Sequence, residues 1–591
     1  MPDSKYYYLK GRSGSNFGWA RILIILFFSV FALRLAQMQL IKGSYYWSKA
    51  EENRLQYFSL PAPRGRIFDR NGIKLAGNQP SYSLFIHPLE LTIEEKNRIA
   101  GKIEEITKCS KEKILRRFIS AEPRPFGIIE LVSNLTIDEI VALEENSHYL
   151  PGVTIQVEPR RKYPFSDNGS HLLGYIGEID KYKLSQLKKY GYKLKDKVGK
   201  SGLEKTFDKS LRGNDGFQEI EVGVKGGHRK IIRTYNPQIG NELLLTIDWD
   251  LQQAAYRAMG EKAGAVVAMD PNTGEILVWL SKPGFNPEDF TIPLTQVKAK
   301  EMFSNPDHPL FDRIIQGQYA PGSIFKIMTA ATSLEADENN TERKYECKGQ
   351  IAIGYDRKVF KCWKDKKHGK LELLDAVANS CNVYFYQLGI HLGAKEISNT
   401  AKKFGLGSVS QKIYDGENPG LIPDPEWKKS RFGIGWYPGD NANMSVGQGY
   451  VLVNPMQILK MVSAVATEGK MYNPYVVKTV ISPDGDVIEE FDPLLERKID
   501  VKPFTFKKIK EAMTGVVDYG TAKYLYAPVK AAGKTGTAEN PMGDDHAWFT
   551  CFAPVENPEI AIVVLIENGG YGSVAAMPVA REILKEKFPK K

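Results

Sequence analysis

Cysteine is scarce in this chain, with five residues in 591, far below the 8–10 % or so of disulfide-stapled scaffolds. Internal repeats and low-complexity tracts are absent, which excludes solenoids and disordered arrays. A second long apolar run is also missing, so a polytopic membrane protein is excluded. Neither charge dominates: 80 Lys and Arg against 70 Asp and Glu leave +10, with the two signs interleaved. That balance argues against a nucleic-acid groove and for a solvated surface; a basic face towards an anionic membrane or polymer is the other use of a mild excess.

The one apolar run lies near the N-terminus. Ile22 to Leu33 is uncharged and flanked by Arg21 and Arg34. It reaches membrane-spanning length if Arg34 snorkels and the helix continues to Ile41. No small-residue cleavage site follows, so an uncleaved signal anchor is expected over residues 18–41, with 1–17 as a short cytoplasmic tail. Charge does not set its orientation, because Lys5, Lys10 and Arg12 are matched by Lys42, Lys49 and Arg54.

The length requires more than one core. After the anchor, "PAPRGRIFDRNG" carries a D-R-N-G turn signal, and short strands alternate with amphipathic helices such as "TIEEKNRIAGKIEEITK". Residues 42–245 read as an elongated, non-catalytic module. Composition shifts near Asn241. "NELLLTIDWDLQQAAYRAM" reads as a strand running into a helix capped by Asp248, and "AGAVVAMDPNTGEILVWLSKPGF" as a hairpin turning at Pro271–Gly274. A second domain is expected over 246–591.

Three short motifs in that domain carry chemistry. "APGSIFK" places Lys326 one helical turn beyond Ser323, on the same face. A serine needs a base to become a nucleophile, and a lysine with a lowered pKa can be that base. "NSCN" offers Ser380 and Asn382, two residues apart. "GKTGTA" offers Lys534 and Thr535 to hold a carboxylate, and Gly536, whose missing side chain lets a substrate backbone lie close. Alone, each is a weak signal: S-x-x-K also describes a capped helix with a surface lysine, and K-T-G-T an exposed strand. In this order the set is the S-x-x-K, S-x-N and K-T-G signature of penicillin-binding proteins and class A β-lactamases. With "RGRIFDRNG", "VGKSGLEKTFDKSLRGNDG", "AMDPNTGEILVWLSKPGFNPEDF" and "YVLVNPMQILKMVSAVAT", most of the chain resembles the class B penicillin-binding proteins, and the elongation type among them.

The resemblance implies an α+β fold: a transmembrane helix, an elongated pedestal of dimerisation type, and a β-lactamase-like transpeptidase domain with an antiparallel sheet flanked by helices. It implies a D,D-transpeptidase acting on peptidoglycan stem peptides and lipid II-derived strands, acylated by β-lactams. Ser323 would be acylated, Lys326 would take its proton, Ser380 would relay a proton to the leaving D-alanine, and Asn382 would orient Lys326 and the substrate amide. Lys534, Thr535 and Thr537 would hold the terminal carboxylate, and the Ser323 and Thr537 N–H groups would form an oxyanion hole. No glycosyltransferase domain fits between anchor and transpeptidase domain, so a SEDS-family polymerase and elongation-complex scaffold proteins are the implied partners. The implied location is the inner membrane, single-pass, with the bulk in the periplasm. A division-type enzyme is the near alternative. A β-lactam receptor would need an output domain, and a β-lactamase a second base for deacylation.

Cys347, Cys362, His368 and Cys381 form C-x14-C-x5-H-x12-C, with Cys381 inside the S-x-N motif. Three thiolates and an imidazole suit a closed zinc site, and some elongation-type members are similar in holding zinc there with carboxylates among the ligands. A Cys347–Cys362 disulfide and three reduced core thiols are the competing readings. Cys109 and Cys551 lie outside the cluster. His546, Asp440 and Asn443 read as hydrogen-bonded, capping or turn residues, and the aromatics of "NVYFYQLG" as core.

Overall fold

In a computed structural model of the chain, the described residues are 18–589, except 87–90, 121–128, 195, 223–228, 293, 364–366 and 412. The expected cytoplasmic tail, 1–17, lies outside them. Gly18–Ala36 is an α-helix that passes into a π-helical turn, Gln37–Ile41. Together they form a 24-residue helix containing an 18-residue window of mean hydropathy 2.0, none of it buried, long and apolar enough to cross a membrane.

The chain divides into two compact units. The described residues of the first lie within 18–61, 81–158 and 215–237. Its strands Leu55–Leu60, Gly216–Val222 and Arg229–Tyr235 form an antiparallel sheet in that order. Capping boxes start two of its helices: Thr92 with Glu95 opens Ile93–Thr107, and Thr136 with Glu139 opens Ile137–Glu145. Ile99, Ile103, Ile114, Phe118, Leu131 and Leu143 make its small core.

The second unit comprises 62–80, 159–214 and 238–591. A buried ionic cluster ties the first two of these segments together. The Arg64 guanidinium donates to Glu204 at 2.6 Å and to Asp208 at 2.7 Å, and Arg161 donates to Glu204 at 2.7 Å. Tyr192 donates to Asp208 at 2.6 Å. Desolvating these charges demands that they stay together, which holds 62–80 and 159–214 to one another. Asp69, from the D-R-N-G turn, accepts from the Ile73 N–H at 2.7 Å and from the Trp249 N–H at 3.1 Å. Strand Glu242–Leu245 then pairs in parallel with Ile67–Phe68 and antiparallel with Val477–Ile481.

The centre of this unit is a five-stranded antiparallel sheet in the order Ile276–Lys282, Gly264–Met269, Ile560–Ile566, His546–Ala553, Ala532–Ala538. Every residue of its three first-named strands is buried. These strands therefore read as continuous apolar runs rather than alternating ones, because helices cover both faces. Helices Trp249–Met259, Pro455–Ala466 and Met577–Lys587 pack on it. Asp248 caps its helix by accepting from the Leu251 N–H, as expected.

Candidate active site

Ser323 sits in a 3-10 turn, Gly322–Phe325, that runs into the α-helix Lys326–Ala336. Residues three apart eclipse in a 3-10 turn, and the Lys326 Nζ lies 3.0 Å from the Ser323 Oγ. Gly322 has φ +53°, and a Cβ there would stand 2.3 Å from the Thr537 carbonyl oxygen. Only glycine lets this turn press against the K-T-G strand, Ala532–Ala538.

Lys326 is wholly buried. Its ammonium also donates to the Ser380 carbonyl at 2.9 Å, the Ser380 Oγ at 3.2 Å and the Asn382 Oδ1 at 2.6 Å. Burial pushes its pKa down to about 8, against the opposing pull of the Cys381 and Cys362 sulfurs. Ser380 adopts φ +52° in the turn between helices Leu373–Ala378 and Asn382–Leu392. That left-handed conformation turns its hydroxyl between two lysines, since the Lys534 Nζ donates to the same Oγ at 2.9 Å. Burial and the neighbouring Lys326 hold the Lys534 pKa well below the ordinary lysine value. The three motifs thus converge on one hydroxyl.

Thr535 is buried and its Oγ1 lies 2.7 Å from the Thr521 Oγ1. Gly536 needs a different account from the expected one. A Cβ there would meet the Trp548 Cβ at 2.9 Å, the Ile324 side chain at 3.1 Å and the Pro321 carbonyl at 3.2 Å. The space it leaves is filled by the nucleophile turn and the neighbouring strand, not kept open for a substrate backbone. Thr521 escaped sequence reading, and Gln448, in the stretch "GWYPGDNANMSVGQGY" that reads as a loop bordering the site, donates its Nε2 to the Thr537 carbonyl at 3.4 Å. Thr521 reaches the strand from the turn after helix Pro503–Asp518, and Gln448 from a loop distant in sequence.

The Cys347, Cys362, His368 and Cys381 donor atoms lie within 4.8 Å of one another. His368 Nδ1 is 3.6 Å from the Cys347 Sγ and 3.5 Å from the Cys362 Sγ. The hairpin strands Tyr345–Cys347 and Gly369–Leu371 pair Cys347 with Gly369, and Cys381 occupies the N-cap of the helix that Asn382 begins. None of the five cysteines is in a disulfide. Contact with Cys362 and burial both push the Cys381 thiol pKa up. The donor set fits a four-coordinate soft divalent ion.

His546 accepts from the Asn568 N–H, and Asp440 caps its helix by accepting from the Tyr437 N–H. Tyr384, Phe385 and Tyr386 are buried, as expected of core.

The family model described as the penicillin-binding protein transpeptidase domain matches residues 264–585, and the one described as the penicillin-binding protein dimerisation domain matches 59–245. The chain belongs to the penicillin-binding protein family. The peptidoglycan D,D-transpeptidase MrdA of Acinetobacter baumannii is 31% identical, over 94% of this chain and 84% of that protein. The solved complex of penicillin-binding protein PBP2 with MreC from Helicobacter pylori superimposes with TM-score 0.77 at 28% identity, covering 90% of this chain and 99% of that one. A solved peptidoglycan synthase complex, described as coordinating polymerization and crosslinking, contains a chain matching at TM-score 0.72 and 28% identity, over 98% and 99%. As a class B member, this chain combines the expected α+β transpeptidase fold with an apolar N-terminal helix.

Proposed function

We propose that Ser323 is the residue acylated by the D-Ala-D-Ala end of a stem peptide. The chain is a peptidoglycan D,D-transpeptidase of the elongation type. The observation that carries the residue roles is the convergence of Lys326 and Lys534 on Ser380, with Lys326 also on Ser323. Neutral Lys326 takes the Ser323 proton as the Oγ attacks the penultimate D-alanine carbonyl. The Ser323 and Thr537 N–H groups stabilise the oxyanion; the close approach of Gly322 to Thr537 brings the two side by side. When the C–N bond breaks, Ser380 passes a proton to the departing D-alanine amine, and Lys326 replaces it. Lys534, Thr535 and Thr537 hold the terminal carboxylate before it leaves. The amine of a second stem peptide then attacks the ester, its proton returns through Lys326 to Ser323, and a cross-link forms.

A zinc ion held by Cys347, Cys362, His368 and Cys381 would serve a structural role. It would cross-link the hairpin to the backbone between Ser380 and Asn382, aiming both side chains. The remaining proposals concern place and partners. The helix at 18–41 anchors the protein in the inner membrane with the bulk in the periplasm, alongside a SEDS-family glycan polymerase and an elongation scaffold. Support comes from the MreC complex and the synthase complex in which related chains are found. The test is incubation of the full-length protein with nascent strands carrying pentapeptide stems, followed by digestion and mass analysis. Cross-linked muropeptides that vanish with Ser380→Ala are expected; cross-links at the wild-type level in that variant would overturn the relay.

A further inference from the structure

We infer that Thr521 is a positioning residue for carboxylate recognition, acting through the hydroxyl of Thr535; this rests on the reading of Thr535 as a carboxylate-holding residue. Thr521 follows the helix Pro503–Asp518 in a turn where Gly520 donates its N–H to the Gly515 carbonyl at 2.9 Å. A Cβ at Gly520 would stand 2.3 Å from the Ala378 carbonyl oxygen, so the turn lies hard against the helix end that leads into Ser380. The Thr521 N–H donates to that same carbonyl at 3.1 Å. Its Oγ1 meets the Thr535 Oγ1 at 2.7 Å. One residue therefore ties the S-x-N turn to the K-T-G strand.

The chemistry of that hydroxyl pair is directional. Each hydroxyl has one proton to give. A carboxylate only accepts, so Thr535 recognises it only while its own proton is free to point outward. That requires Thr521 to be the donor within the pair and Thr535 the acceptor. A hydroxyl that accepts one bond is polarised into a better donor for the next. Thr521 thus sets the rotor of Thr535 and strengthens its bond to the substrate without touching substrate itself.

The experiment compares Thr521→Val, which keeps shape and removes the hydroxyl, with Thr521→Ser, which keeps the hydroxyl. Each full-length variant is acylated with benzylpenicillin and with its methyl ester, which lacks the anionic acceptor. For Thr521→Val, second-order acylation by the acid is expected to fall about five- to tenfold, the worth of one hydrogen bond to a charged acceptor's partner. The fall should appear in the binding constant rather than the limiting rate, with little change for the ester. Thr521→Ser should restore the acid rate, and in a Thr535→Val background Thr521→Val should change the acid rate little, because the hydroxyl it acts through is already gone. An equal loss with acid and ester, a serine variant as slow as the valine, or a valine variant at the wild-type rate would overturn the inference. Failure of the acyl-enzyme reading itself would show separately, as wild-type protein that benzylpenicillin does not label.

Discussion

The lowered pKa of Lys326 makes the pH dependence of acylation a direct consequence of its burial. A lysine acts as base only when neutral. With a pKa of about 8, about one enzyme in ten carries the neutral form at pH 7 and about nine in ten at pH 9. The second-order acylation rate should therefore rise about tenfold between those values and then level off. Stopped-flow measurement with benzylpenicillin from pH 6 to 10 reads this, and the second-order constant reports the free enzyme. The same group bears on stability. Its folded pKa lies below the ordinary 10.5, so the unfolded chain holds the proton more tightly. Burial then costs about 3 kcal/mol below pH 8, a cost relieved as pH rises from 8 to 10.5. Replacing Lys326 with methionine should abolish the pH-dependent rise and slow acylation by about 10²–10⁴-fold, without lowering thermal stability at pH 7. A flat profile between pH 7 and 9, or a midpoint above 10, would refute the assignment of Lys326 as the base.

Two further predictions concern parts outside the reacting groups. Glu204→Ala leaves Arg64 and Arg161 buried without their shared partner and should cost about 3–5 kcal/mol, read as a lower denaturant midpoint; a loss under 1 kcal/mol would show the cluster is not holding 62–80 and 159–214 together. Purified protein should contain one zinc per chain by elemental analysis, and Cys381→Ser should lower both zinc content and acylation rate. Metal-free protein with a Cys347–Cys362 disulfide and full acylation would end that proposal.

Much of the site was legible because its chemistry is local in sequence. Ser323 and Lys326 meet through one helical turn, Ser380 and Asn382 lie two apart, and Lys534 to Thr537 follow one another on a single strand. The cysteine cluster was legible for the opposite reason: cysteine is rare enough here that three near one histidine stand out. What stayed hidden depends on long-range packing. Gly536 read as an opening for substrate because sequence cannot show Ile324 and Trp548 filling it. Thr521 carried no signal, since a threonine after a glycine turn has no meaning until Thr535 stands opposite. Arg64, Arg161, Glu204 and Asp208 look like ordinary surface charges in sequence until folding buries them together.

The central claim is that Ser323 carries the acyl group. Intact-mass analysis of the full-length protein after reaction with benzylpenicillin, followed by peptide mapping, tests it most directly. One adduct per chain, mapped to the peptide holding Ser323 and absent from a folded Ser323→Ala variant, is the predicted result. Stoichiometric labelling of the Ser323→Ala variant, or an adduct mapped to another residue in the wild type, would contradict it.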